Sequence, residues 1–227
     1  MPPKPKFTRE EMVNAAVELI SERGEESLTA RELGKFIGSS SCPIFTLFKD
    51  MDELKAEVRL KAVAVFNDYM AEADNYTPAY KKRGMQWVKF ASEQPRLFRL
   101  LFMRETLSGA SFDDAQSLIP FGKQNDIDII IRDYDATREQ AERLFKHMWI
   151  YTYGMCTLVA NKVCVFSEEE IAKALGEAFR GAVYVLKTDG AFPENANPTS
   201  VIPTSPSSEK GKDIISHHPK LSDKKAD

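Results

Sequence analysis

The chain has 227 residues, enough for one sizeable core or two small domains, and its 43% hydrophobic and 29% charged residues are ordinary for a globular protein. A net charge of −3 supplies no whole-chain attraction for polyanions, and no apolar run approaches the roughly 18 residues of a membrane span. Cys42, Cys156 and Cys164 form no C-x-x-C pair, which argues against a disulfide framework and for a reducing cytoplasm.

The N-terminus, MPPKPKF, reads as a short basic arm rather than a targeting sequence. Helical periodicity then dominates from Thr8 to Lys187, so the expected class is all-α. Thr8 and Glu11 predict a capped first helix running to about Arg23, with Gly24 as its stop. Thr29 and Glu32 form a T-x-x-E capping box for a second helix, braced by Leu28 and Leu33. Gly34 allows close backbone approach, and Gly38 stands where that helix ends. Ser39, Ser40 and Ser41 are candidate N-caps of a short third helix, Cys42 to Phe48, where Pro43 is tolerated in the first turn. Two helices joined by so tight a turn suit a helix-turn-helix, whose second helix lies in a DNA major groove.

Asp50 and Glu53 cap a long fourth helix through Tyr69, and Asn75 to Thr77 read as a loop. Thr77 is the expected cap of a fifth helix from about Pro78 to Ser92. Pro95 opens a short apolar sixth, followed by a loop from Thr106 to Ser111. One or two helices interrupted near Pro120 are expected between Ser111 and Asp133. Thr137 with Gln140 caps a helix to about Lys162. Ser167 with Glu170, braced by Phe166 and Ile171, caps a last one ending near Lys187, stopped by Asp189 and Gly190. Residues 191–227, rich in Pro, Ser, Asn, Lys and Asp, predict a disordered tail.

The run TARELGKFIGSSSCPIFTLFKDMDEL (29–54) resembles the DNA-binding segment of the TetR family of bacterial transcriptional regulators. Thr29, Leu33, Gly34, Gly38, Ser40, Ile44, Phe45, Phe48, Asp50 and Leu54 carry the likeness in register. Trp87 to Phe102 and Met148 to Gly154 resemble ligand-domain segments of one branch of that family. Three positions depart from it: Phe45, Leu47 and Met51 stand where tyrosine, histidine and lysine are common, and each replacement removes a donor to the DNA backbone.

The resemblance implies a helix-turn-helix domain over residues 1–54 and a ligand-binding and dimerisation bundle over 55–190, followed by the tail. It places DNA contacts at Thr29 and Arg31, then at Ser40, Ser41, Cys42, Pro43, Phe45 and Thr46 on the third helix, and at Lys49. It implies a ligand cavity drawing on Trp87, Phe98, Phe102, Met103, Phe121, Met148, Trp149 and Tyr153. It also implies homodimerisation through the last two helices. The stripe Ala172, Leu175, Ala178, Phe179, Ala182 and Leu186 is the expected contact of the final helix.

The function implied is a repressor that leaves a palindromic double-stranded operator when a small apolar or aromatic effector binds. The alternative is a dimeric helical ligand-binding or adaptor protein of the same fold with weak or lost DNA binding, as the three departures would allow. Three histidines, His147, His217 and His218, and the lack of a metal-ligand cluster, a G-x-S-x-G elbow or a phosphate-cradling loop point away from an enzyme, a metal site or a cofactor.

Overall fold

Helix starts are set by side chains that satisfy the first free backbone N–H groups. A computed structural model describes residues 7–103 and 123–188, and all regular structure among them is helical. The helices are α1 (Arg9–Arg23), α2 (Ala30–Phe36), α3 (Cys42–Leu47), α4 (Met51–Ala71), α5 (Ala79–Glu93), α6 (Pro95–Phe102), α7 (Lys123–Tyr134), α8 (Arg138–Ala160) and α9 (Glu168–Lys187). The helix break near Pro120, the loop from Thr106 to Ser111, Phe121, the stop at Asp189 and Gly190 and the tail lie outside the described residues.

Reciprocal capping boxes open α1 through Thr8 and Glu11 and α8 through Thr137 and Gln140. At α9, Ser167 N–H donates to Glu170 at 2.8 Å and Glu170 N–H to Ser167 Oγ at 3.2 Å. Asp50 accepts from the N–H groups of Asp52 and Glu53 to start α4. Three expected caps take another form. Thr29 accepts from Glu32 N–H, but the Glu32 carboxylate turns away to Lys35 at 2.8 Å and Arg23 at 3.8 Å, so the box is half made. Ser41 occupies the N-cap of α3 without a side-chain bond, and Ser40 Oγ accepts weakly from Cys42 N–H at 3.4 Å. Pro78, not Thr77, occupies the N-cap of α5, and the free Ala79 N–H is satisfied from α7 by the Asp133 carboxylate at 3.2 Å.

Two helix ends also differ from expectation. α3 stops at Leu47 because Phe48 is extended, and α8 stops at Ala160, two residues before Lys162 enters a positive φ of 57°.

α5 is the central helix and packs on α4, α6, α7, α8 and α9, while α1 packs on α2, α4 and α6. The stripe Ala79, Tyr80, Arg83, Trp87 and Phe90 recurs at three- and four-residue spacing, which turns one face of α5 inward. Phe66 of α4 anchors an aromatic cluster there. Its ring lies 5.0 Å from Trp87, 5.3 Å from Phe90 and 5.2 Å from Phe102, all edge-on, the arrangement favoured by aromatic quadrupoles. No helix among the described residues is long and apolar enough to cross a membrane.

Candidate functional site

The turn between α2 and α3 is closed by two glycines. Gly38 has φ +64°, the left-handed region that L side chains avoid, and Ser39 N–H donates back to Gly34 O at 2.8 Å. A Cβ on Gly34 would lie 3.0 Å from the Ser40 carbonyl carbon and oxygen and 3.1 Å from Ser41 N. Only a hydrogen leaves room for the chain to fold back that closely.

α3 is held from below by Ile44 and Phe48, both essentially buried, each contributing about 1.5–3 kcal/mol by leaving water. Arg9 pins its C-terminus. The guanidinium donates to Leu47 O at 2.7 Å, pairs with Glu53 at 2.7 Å and with Glu57, and lies 4.4 Å over the Phe48 ring. Above that anchor, Cys42, Phe45, Thr46 and Lys49 face solvent, Phe45 with 52% of its surface exposed. Ser40, Thr29 and Arg31 are exposed beside them, and Ser41 and Pro43 are half-buried. All nine residues expected to touch DNA are thus on or near the surface. Leu47 and Met51, two of the departures, pack half-buried against the core.

The second feature is a cavity of about 230 Å³ bounded by α5, α7, α8 and α9. α5 contributes Tyr80, Lys81, Arg83 and Trp87, and α8 contributes Phe145, Met148, Trp149 and Thr152. α7 adds Asp126 and Tyr134, and α9 adds Leu175, Phe179 and Arg180. Gly84 lets α9 close on α5, since a Cβ there would meet Leu175 Cδ1 at 3.2 Å. The Trp149 ring stacks on Tyr153 at 5.1 Å, and the Phe179 ring lies 6.2 Å from Tyr80 and 4.7 Å from Tyr134.

Within the wall, Arg83 and Asp126 form a buried ion pair, and Arg83 Nη1 reaches Asp74 at 3.4 Å. Burial pushes the Asp126 carboxyl up to about 6 despite the opposing pull of Arg83, and burial raises the Tyr80 hydroxyl well above its ordinary value.

Of the residues expected at a cavity, Trp87, Met148 and Trp149 line it. Phe98 and Phe102 do not: Phe98 is fully buried and Phe102 is wedged among Phe66, Trp87 and Phe98. Tyr153 stands behind Trp149 and donates its hydroxyl to Phe102 O. Met103 borders a separate polar hollow with Arg96 and Arg99. The missed residues Tyr80 and Arg83 sit on the inward stripe of α5, so a charge within that stripe was a visible signal. The α9 stripe expected at a subunit contact instead packs inside the chain: Leu175 and Leu186 are buried, and Phe179 forms cavity wall.

No family model matches the chain, and no curated protein matches it in sequence. Solved structures do match. A TetR-like transcriptional regulator from Rhodococcus sp. RHA1 superposes with a TM-score of 0.59 at 15% identity, over 80% of this chain and 99% of that one. A protein assigned to the TetR family of transcriptional regulators, from Mesorhizobium loti MAFF303099, superposes with a TM-score of 0.54 at 14% identity, over 81% and 98%. The chain has the TetR-like fold. Within that fold, the exposed face of α3 and the cavity walled by α5, α7, α8 and α9 are the two features to which chemistry can be attached.

Proposed function

We propose that the chain is a dimeric transcriptional regulator that reads an operator with α2 and α3 and, in the manner of a repressor, leaves it when a small aromatic molecule enters the cavity. The observation that carries the reading is the division of α3 into two faces: Ile44 and Phe48 anchor it, while Cys42, Phe45, Thr46 and Lys49 are free to meet a duplex. Phe45 and Cys42 suit apolar contact with a thymine methyl, and Thr46, Ser40 and Lys49 suit polar edges or phosphates. In this reading residues 1–54 hold DNA and 55–190 hold ligand and partner.

A palindromic operator requires a twofold dimer. The outward sides of α8 and α9 support one, though not through the stripe expected from the sequence. Ile150, Tyr151, Leu158 and Tyr184 are exposed there, and Cβ atoms on Gly154 and Gly181 would meet nothing within 4 Å, leaving room for another helix.

Gel retardation with the DNA flanking its own gene tests the reading. The expected result is retardation that survives excess unrelated DNA and is lost in Phe45→Ala/Lys49→Ala with unchanged helicity. Absent or non-selective retardation would select instead a ligand-binding or adaptor protein of this fold, a role the packing of Leu47 and Met51 would suit. Sedimentation of the full chain should show a dimer that Ile150→Lys/Tyr184→Lys converts to monomer.

A further inference from the structure

The cavity lining carries more cationic than anionic side chains. Lys81, Arg83 and Arg180 line it against one carboxylate, Asp126, which Arg83 already engages. Lys81 and Arg180 are exposed, so they stand at the mouth, and neither has an ion pair among the described residues. Deeper in, Arg83 places Nε on Asp126 and Nη1 near Asp74, while its Nη2 makes no hydrogen bond among the described residues. Asp126 therefore leaves no spare negative charge to hold a cationic guest.

The apolar walls are flat. Trp149 is fixed by the Tyr153 ring behind it, and Phe179 lies against the rings of Tyr80 and Tyr134, so these surfaces suit an aryl face. A volume of about 230 Å³ falls below the roughly 300–1,000 Å³ of drug-sized pockets, which limits the guest to a small ring system.

We propose that the cavity takes a small aryl carboxylic acid, its ring between Trp149 and Phe179 and its carboxylate at the mouth between Lys81 and Arg180. This deepens the regulator reading by naming the class of ligand. Arg180 is well placed to meet the carboxylate. Its Nη1 comes within 3.4 Å of where a Gly176 Cβ would stand, so the missing side chain lets the guanidinium fold over α9 at the rim. A planar guanidinium beside an ammonium recognises a carboxylate by paired, charge-assisted hydrogen bonds. An uncharged amide of the same shape would lose that contact.

The experiment is titration calorimetry of the full chain with phenylacetate, phenylacetamide and phenethylamine. Phenylacetate should bind at least about tenfold more tightly than phenylacetamide, with the amine weakest. In Lys81→Gln/Arg180→Gln, two exposed sites whose change spares the fold, the acid and amide should bind within about threefold of each other. Equal binding of acid and amide, preference for the amine, no binding of any probe, or an acid preference retained in the double variant would each overturn the proposal. Gel retardation with the same probes separates this from the function itself. Acid-selective binding with no effect on DNA would uphold the ligand class and sink the regulator. DNA release by acid and amide alike would do the reverse.

Discussion

The Tyr153 hydroxyl of α8 donates to the Phe102 carbonyl at the end of α6, 2.7 Å away. Tyr153 also stacks on Trp149 in the cavity wall, and Arg96 of α6 donates to Ser21 O near the end of α1 at 2.9 Å. The cavity, α6 and α1 are therefore joined by contiguous contacts. Tyr153→Phe keeps the ring and removes the donor, so it should lower stability by only about 1 kcal/mol. Ligand binding by calorimetry should stay within a few-fold, while the ligand dose needed to release DNA rises. If release tracks wild type, the bond takes no part in coupling.

Gly34→Ala should be far worse than an ordinary helical Gly→Ala change. The new methyl would meet the Ser40 and Ser41 backbone at 3.0–3.1 Å, and backbone cannot swing aside as a flexible side chain can. A loss of about 1–3 kcal/mol is expected in urea unfolding, with DNA retardation reduced further because α3 is re-aimed. A stabilised variant would show that the turn yields freely.

Ile44 and Phe45 are neighbours, one buried and one exposed, and alanine at each should have different effects. Ile44→Ala empties a fully buried site and should cost about 2–5 kcal/mol. Phe45→Ala, at a side chain 52% exposed, should change stability by no more than about 0.5 kcal/mol yet weaken DNA binding. Chemical denaturation and retardation on the same two variants decide it. DNA affinity unchanged in Phe45→Ala would remove this ring from the interface.

The buried Asp126 carboxyl, raised from 3.8 to about 6, gives a pH signature of definite sign. A carboxylic acid with a raised folded-state pKa binds its proton more tightly when folded, so its contribution is greatest below about pH 4 and declines as pH rises through 6. Relative to Asp126→Asn, wild-type stability should fall by on the order of 3 kcal/mol between about pH 4 and pH 7. Denaturation at several pH values checks this. A difference that grows with pH would mean that the pairing with Arg83 outweighs burial.

Local signals read well from sequence. The boxes at Thr8, Thr137 and Ser167 form because donor and acceptor lie three residues apart, and Gly34 and Gly38 announce themselves because only glycine fits their places. The box at Thr29 stays half made because Lys35 and Arg23 compete for the Glu32 carboxylate, and Arg23 arrives from another helix. Phe98, Phe102 and Tyr153 share the helical spacing of Trp87 and Trp149, and spacing does not tell a core ring from a cavity wall. Nor does an apolar stripe say whether its partner belongs to the same chain. Leu175 and Phe179 face inward, whereas Ile150 and Leu158, eight residues apart on α8, and Tyr184 on α9 are exposed.

The anchoring of Arg9 has a consequence for selectivity. Its charge is neutralised by Glu53 and Glu57, and within 29–51 Lys35 is paired with Glu32, which leaves Arg31 and Lys49 as the cations there without an ion pair among the described residues. Each phosphate neutralised frees condensed counterions and steepens the dependence of log K on log salt by roughly 0.9. If α3 meets a duplex as proposed, so few such cations predict a shallow slope and low affinity for random sequence. Discrimination among sites would then fall to the contour of one six-residue helix.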